Sequence, residues 1–267
     1  MIQFASMWYG SMTRLERLSI NSFVKNGHTY NLFLYDDINA KGLPKEVVLH
    51  DANTIIPEKE IFKDIFKNDY LQFSDVFRIK MMKKYGYAWA DLDTVCLSSE
   101  TNLGSSFLPT MPKKDHELTD KKSLNNSIFL IDKDSNIMDG LIRKIEEFSP
   151  IKAESEYSLG PNLFTEFFIS NQDTYKAMKS YIYPSNIFYP IHYEDVEDMY
   201  KKDKLFLCNF LTKKSFAVHL WRNSLKRKKS SISGIPLIES MPEDGSWLDK
   251  IYQKYLPYSN ELEWDTI

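Results

Sequence analysis

Asp91 and Asp93 stand two residues apart in the run Tyr85-Gly86-Tyr87-Ala88-Trp89-Ala90-Asp91-Leu92-Asp93-Thr94-Val95, which is otherwise largely apolar. On a strand, side chains at i and i+2 share a face, so the spacing predicts two carboxylates roughly 6–7 Å apart on one side. Two acids so placed repel each other, and either one takes up a proton or a cation bridges them. Oxygen donors with few protein ligands suit Mg²⁺ or Mn²⁺ carrying water and substrate phosphates. Such an ion offsets the charge that builds on a diphosphate as a bond to it breaks. Asp-x-Asp alone is a weak pattern, but charge at the tip of a buried-looking strand needs a reason.

One helix upstream lies Ser74-Asp75-Val76-Phe77-Arg78. With Ser74 as N-cap of a helix over 75–85 that Gly86 closes, Asp75 and Arg78 share a face in its first turn. There Asp75 suits the positive end of the helix dipole. The spacing fits an ordinary helix-start ion pair. It also fits a clamp in which Asp75 accepts from sugar hydroxyls and Arg78 donates to sugar or phosphate oxygens.

The elements that must hold these groups follow from periodicity. Residues 2–8 alternate as a buried strand, and Thr13-Arg14-Leu15-Glu16 is a capping-box pattern. Leu15, Leu18, Ile20, Phe23 and Val24 give a helical apolar face that ends at Gly27, and Tyr30 to Tyr35 is a second strand. Strand–helix–strand in so few residues implies a parallel pair with helices on the sheet's faces. Further on, the sequence predicts a strand at 47–49, a helix over 58–73 with Ile61, Phe62, Ile65 and Phe66 as its buried stripe, and a single strand over 87–97. A polar, surface-bound excursion over 98–125 follows, then a strand over 127–131 and a helix over 136–148 marked by Ile137, Leu141, Ile145 and Phe148. A helix of about ten residues opens at Gly160-Pro161, and a strand over 216–220 and a helix over 247–255 complete the chain. No internal repeat is present.

The chain has 267 residues, of which 43% are hydrophobic, enough for one sizeable core. Its net charge of −3 argues against nucleic acid as a partner. The one dense basic run, Lys226-Arg227-Lys228-Lys229, reads as a solvated loop or as a patch for an anionic acceptor or membrane surface. Two cysteines, Cys96 and Cys208, make no disulfide framework and point to a reducing compartment. With no run of about 18 apolar residues and no leader-like start, the expectation is a cytoplasmic protein, at most working at the inner face of a membrane.

Taken together, Phe73-Ser74-Asp75-Val76-Phe77-Arg78, Tyr85-Gly86-Tyr87 and Ala90-Asp91-Leu92-Asp93 resemble the sugar-binding DXD region of retaining glycosyltransferases of family 32, and are similar to the glucosylating domain of large clostridial toxins and to bacterial capsule and lipooligosaccharide enzymes. Upstream, Phe4 to Gly10 resembles the first strand of that family, with Trp8 at the position that stacks on the nucleotide base. Downstream, Asn125-Asn126-Ser127, Gly160-Pro161 and Val218-His219-Leu220-Trp221 resemble its acceptor-side Asn segment, its Gly-Pro turn and its closing strand. The resemblance covers about residues 1–97 and short islands to 221. It departs from the family at Tyr87, where a second glycine is usual, and at Trp89, where a tyrosine is.

What this resemblance implies is an α/β GT-A fold: one domain with a Rossmann-like nucleotide-binding sheet flanked by helices, residues 1–97 holding the nucleotide-sugar and 98–267 carrying the acceptor-side insertions and the closing segment. It implies a Mn²⁺- or Mg²⁺-dependent enzyme that moves a hexose from a nucleotide-diphosphate sugar, UDP-hexose favoured and GDP-mannose possible, to a glycan or glycolipid acceptor in surface glycan synthesis. By carry-over, Trp8 stacks the base, Asp75 and Arg78 hold the sugar, and Asp91 and Asp93 serve the metal. His219 completes the metal or phosphate site, Trp221 caps it, and Asn125, Asn126 and Gly160 lie on the acceptor side. Trp8 and His219 can equally be core residues, and the Asn pair a turn.

Two other readings stand beside this one. Asp91-Leu92-Asp93-Thr94-Val95 also fits the nucleophile loop of haloacid-dehalogenase-like phosphatases, in which the first Asp is phosphorylated and the second is the acid–base. That loop normally follows the first strand of its domain, whereas some 90 residues of α/β pattern precede it here. A catalytically inactive sugar-binding relative is the non-enzymatic reading, kept open by the altered Gly86-Tyr87 segment.

Overall fold

The structure is a computed structural model, and it describes residues 2–36, 42–63, 69–99, 103–112, 123–147, 158–231 and 233–256. Strand β1 (Gln3–Trp8), helix α1 (Arg14–Lys25) and strand β2 (Thr29–Leu34) form the expected unit, with β1 and β2 parallel from Gln3↔Thr29 to Trp8↔Leu34. The capping box that starts α1 is fully made: the Thr13 side chain accepts from the helix backbone, and the Glu16 carboxylate accepts from Thr13 N at 2.8 Å. Gly27, at φ 82°, takes the left-handed step that turns the chain into β2.

Strand β3 (Val48–Asp51) adds to the edge beyond β2. Helix α2 (Leu71–Tyr85) then crosses to β4 (Ala88–Ala90), which pairs parallel with β1. The main sheet runs β3-β2-β1-β4-β7, with β7 (Ile128–Phe129) antiparallel to β4. Two small sheets join it: β5 (Thr94–Cys96) with β9 (Ala217–His219), antiparallel, and β6 (Leu108–Pro109) with β8 (Ile182–Tyr183), parallel. The remaining helices are α3 (Asn136–Glu146), α4 (Pro161–Thr165), α5 (Gln172–Met178), α6 (Leu205–Thr212), α7 (Arg222–Arg227) and α8 (Trp247–Tyr255). The result is a mixed sheet flanked by helices in one α/β domain, as the sequence led us to expect.

One face of the sheet packs Phe33, Phe77, Trp89 and Phe129 with Met81 of α2 and Leu141 of α3. Phe4, Ile20, Phe23 and Tyr30 fill the other face. A further cluster joins Leu15 and Leu18 of α1 to Val95, Val218, Trp247 and Tyr255, and so fastens the C-terminal segments to the first helix. Among the described residues, no helix is long and apolar enough to cross a membrane.

Four expectations need correction. Helix α2 begins at Leu71 behind Tyr70, so Ser74 is not its N-cap, and Asp75 and Arg78 lie past its first turn. Of the predicted helix over 58–73, the described residues show a 3₁₀ turn at Glu58–Glu60 and, from Leu71, the start of α2; Ile61 and Phe62 still pack on the core, while Ile65 and Phe66 lie outside the described residues. The strand expected over 87–97 is two strands in two different sheets, separated by a turn at 91–93 in which Thr94 N donates to Asp91 O at 2.9 Å. Finally, the stretch 98–125 is not all surface: Phe107, Leu108 and Leu124 are fully buried. Phe148 lies outside the described residues.

Candidate active site

The break between β4 and β5 is what presents the acidic pair. Asp91 leaves the main sheet with its N–H held by Ser127 O at 2.6 Å, and Asp93 starts the second sheet with its carbonyl accepting Leu220 N at 2.7 Å. A continuous strand would have laid both carboxylates along a sheet face; the turn brings them instead to the seam between two sheets. There they meet His219, the last residue of β9, which pairs with Thr94. One ligand atom from each of Asp91, Asp93 and His219 lies within 4.8 Å of the others. The three line a cavity of ≈ 670 Å³, together with Trp8, Arg78 and Trp221.

Each member of the cluster is oriented by a second group. Trp89, two residues back along the strand, donates Nε1–H to Asp91 Oδ1 at 2.7 Å, and Arg78 Nη2 lies 3.3 Å from the same oxygen. His219 Nε2 lies 2.9 Å from Asp93 Oδ1, and the backbone N–H of Arg222 donates to Asp93 Oδ2 at 2.7 Å. The other ring nitrogen of His219, Nδ1, is buried without a hydrogen-bond partner.

Charges in the cluster are interdependent. Burial pushes the Asp91 carboxyl above the ordinary carboxylate range; Arg78 opposes this and Asp93 adds to it. Burial also acts to raise Asp93, but the His219 imidazole and the Arg222 N–H outweigh it and hold Asp93 below the usual range. For His219, burial would favour the neutral ring, yet the neighbouring Asp93 carboxylate wins and raises its pKa. The site therefore concentrates negative charge and holds a compensating positive charge next to it. Two carboxylates and, with its ring neutral, an imidazole could hold a divalent cation here.

Arg78 is the hub of the adjoining wall. Its Nη1 donates to Asn126 O at 2.6 Å and its Nη2 to Ser74 Oγ at 2.9 Å, with Asp75 Oδ1 3.4 Å away. The guanidinium also lies 4.8 Å over the Trp89 ring. Asp75 and Arg78 are thus close, as the spacing implied, but Asp75 is buried behind the cavity wall, where Oδ1 accepts Asn126 Nδ2 at 2.7 Å. Gly160 backs onto the same carboxylate from the start of α4. Asn125 lines the cavity, its Oδ1 accepting Ser127 N at 2.7 Å and the Tyr189 hydroxyl at 3.1 Å.

Both tryptophans border the cavity. Trp8 closes β1, with Nε1 donating to Ser11 O at 3.0 Å. Trp221 has its ring 4.3 Å from that of His219 and donates Nε1–H to Ile191 O at 2.9 Å. It is the one non-glycine residue with positive φ among those described, at φ 57° and ψ 58°.

Three cavity residues were missed from sequence. Trp89 stands at i−2 from Asp91, a spacing that places both on one strand face, yet it drew notice only as a departure from a pattern. Arg222 directly follows the His219-Leu220-Trp221 segment. Besides holding Asp93, it pairs through Nη1 with Glu16 Oε1 and lies 5.8 Å over the Trp8 ring. Glu16 reads as a helix cap, which it is, but its second oxygen is what anchors Arg222 at the cavity edge.

One family model matches part of the chain, in line with the class that the residues suggested. Residues 131–242 match the family model described as the alpha 1,4-glycosyltransferase conserved region. No curated protein matches the chain. Among solved structures, the chain is similar to PaToxG Glycosyltransferase at 14% identity and a TM-score of 0.43, covering 95% of this chain and 84% of that one. The matched segment is under half of the chain and contains His219 of the Asp-Asp-His cluster, while Asp91 and Asp93 precede it.

Proposed function

We propose that the chain is a metal-dependent, retaining hexosyltransferase that uses a nucleotide-diphosphate sugar, UDP-hexose in preference to GDP-mannose, and a saccharide or glycolipid acceptor in surface glycan synthesis. The observation that carries this reading is the convergence of Asp91, Asp93 and His219 within 4.8 Å at the wall of a cavity of ≈ 670 Å³, a size suited to a nucleotide-sugar. Mn²⁺ or Mg²⁺ held by these three residues would offset the diphosphate charge as the sugar–phosphate bond breaks.

In this reading the chain's own groups bind and orient. Trp8 offers its ring to the base, Arg78, backed by Asp75, holds the donor sugar, and Trp221 caps the diphosphate side. Asn125, Asn126 and Gly160 shape the acceptor side, so residues 1–97 serve the donor and much of 98–267 the acceptor. The acceptor oxygen attacks the anomeric carbon from the face the diphosphate leaves, and the acceptor proton passes to a leaving phosphate oxygen. Catalysis then rests on positioning and charge stabilisation. The phosphatase reading gains no support: among the described residues Asp91 follows the fourth strand, whereas that loop normally follows the first.

The test is release of free hexose and nucleoside diphosphate from a panel of UDP- and GDP-sugars with Mn²⁺. Asp91→Ala and Asp93→Ala should each lower turnover by about 10²-fold or more while the protein stays folded. Undiminished turnover in both variants would remove the reading.

A further inference from the structure

Helix α6 carries its apolar residues the wrong way round for a folded core. Its inward side consists of Cys208 and Thr212, both buried, with Leu205 partly buried beside them. Its outward side carries Phe206, 84% exposed, and Phe210, 70% exposed, one turn apart, flanked by Leu207 and Leu211, also exposed. Isolated exposed apolar residues are ordinary, but four large ones on one helix face form a patch that marks an interaction surface.

The chemistry of the rim identifies the partner. Within Lys201-Lys202-Asp203-Lys204 before α6 and Lys213-Lys214 after it there are five lysines and one acid. Lys201 is paired with Glu197 at 3.2 Å, whereas Lys202, Lys213 and Lys214 are exposed. A short helix with an outward apolar face and lysines at both ends is the arrangement by which a helix lies in the plane of a bilayer, its apolar side chains among the acyl chains and its cations at the headgroups. Attraction to anionic lipid adds to the burial of the phenyl rings.

We propose that α6 is a membrane-contact element that docks the chain on a bilayer containing anionic lipid, with Phe206, Leu207, Phe210 and Leu211 inserted and Lys202, Lys204, Lys213 and Lys214 at the phosphates. The residues of this patch are distinct from the run Lys226 to Lys229, and the proposal stands independently of the glycosyltransferase reading. Co-sedimentation with vesicles tests it, using phosphatidylcholine alone and equal parts phosphatidylcholine and phosphatidylglycerol. The wild-type chain should bind the anionic vesicles and leave the neutral ones. F206S/F210S should lower that binding about tenfold or more, and K213E/K214E should weaken it and flatten its salt dependence. Both double variants should keep the wild-type Tm, since the replaced side chains are exposed. Three results would each overturn the proposal: no binding of the wild type to anionic vesicles; full binding by F206S/F210S with loss instead in K226E/K229E; or a lipid-free dimer in light scattering that F206S/F210S converts to monomer, which would make a second copy the occupant.

Discussion

Gly160 and Asp75 sit so close that a Cβ on Gly160 would stand 2.8 Å from Asp75 Oδ2. No real Cβ tolerates that approach, so the carboxylate, or the start of α4, would have to move. Because Asp75 in turn braces Arg78, even a methyl group at position 160 should reach the proposed donor site. Gly160→Ala is expected to lower kcat/KM for donor hydrolysis by about 10- to 100-fold, and wild-type kinetics in that variant would show that the contact is slack.

Asp75 and Asp91 should separate cleanly in stability measurements. Asp75 is buried against the equally buried Arg78 guanidinium, and removing one partner of such a pair costs about 3–5 kcal/mol. Asp91 faces the cavity, where water can replace its carboxylate. Asp75→Ala should therefore lower the denaturation midpoint markedly in a urea titration, while Asp91→Ala leaves it close to wild type and loses activity instead. Equal midpoints would place Asp75 outside the structural role.

Trp89 is expected to tune Asp91 rather than merely fill space. Trp89→Phe keeps an aromatic ring near Arg78 but removes the 2.7 Å bond to Asp91 Oδ1. Turnover should fall about tenfold, in line with the loss of one charge-assisted hydrogen bond, with the folded state retained. A variant indistinguishable from wild type would reduce Trp89 to a core residue.

Acid should weaken the fold through His28. Its Nε2 lies 3.0 Å from the Ser98 carbonyl, which can only accept, so Nε2 carries the proton; Nδ1 is buried without a partner. The ring is packed edge-on against Phe4, Phe23 and Phe216. Burial holds its pKa below the usual histidine value. The unfolded chain thus takes up a proton near pH 6.5 that the folded chain refuses, and stability is lost as pH falls from about 6.5 toward the depressed value. His28→Gln, which keeps a donor for Ser98, should flatten that part of a Tm-against-pH curve; an unchanged slope would assign the acid sensitivity elsewhere.

Both thiols should be inert in the native state. Burial pushes Cys96 and Cys208 up to about 12, leaving almost no thiolate at neutral pH. A thiol-specific chromogenic disulfide should react with neither cysteine until denaturant is added, and rapid reaction in buffer would contradict the burial.

Where local chemistry decides the chain's path, the sequence spoke clearly. The Thr13–Glu16 box and Gly27 fix both ends of α1, Pro161 opens α4, and the short apolar runs on either side of α1 become a parallel pair. Where the outcome depends on distant partners, periodicity was silent. Nothing in Ala90 to Val95 says that the chain leaves one sheet for another at Asp91, because the reason lies in Ser127 and Leu220, far along the chain. The start of α2 was misplaced for a related reason: Ser74 has the chemistry of a cap, yet its hydroxyl serves Arg78 inside the helix. Helix α6 went unread because its large apolar side chains face outward, where no core pattern points to them. At the site, the acids, His219 and both tryptophans were legible, whereas Arg222 and Glu16 came together only through the fold.

The reversed backbone at Trp221 has a consequence for how far position 221 can drift. A left-handed residue there costs about 1–2 kcal/mol for an ordinary L side chain, and it turns the chain so that the indole and the following amide both reach the cavity, the one beside His219 and the other onto Asp93. Only glycine, asparagine or aspartate could follow that route cheaply while discarding the ring. Substituting one of them would divide a single residue into its two duties, the steering of the main chain and the shielding given by the indole, and allow each to be measured without the other.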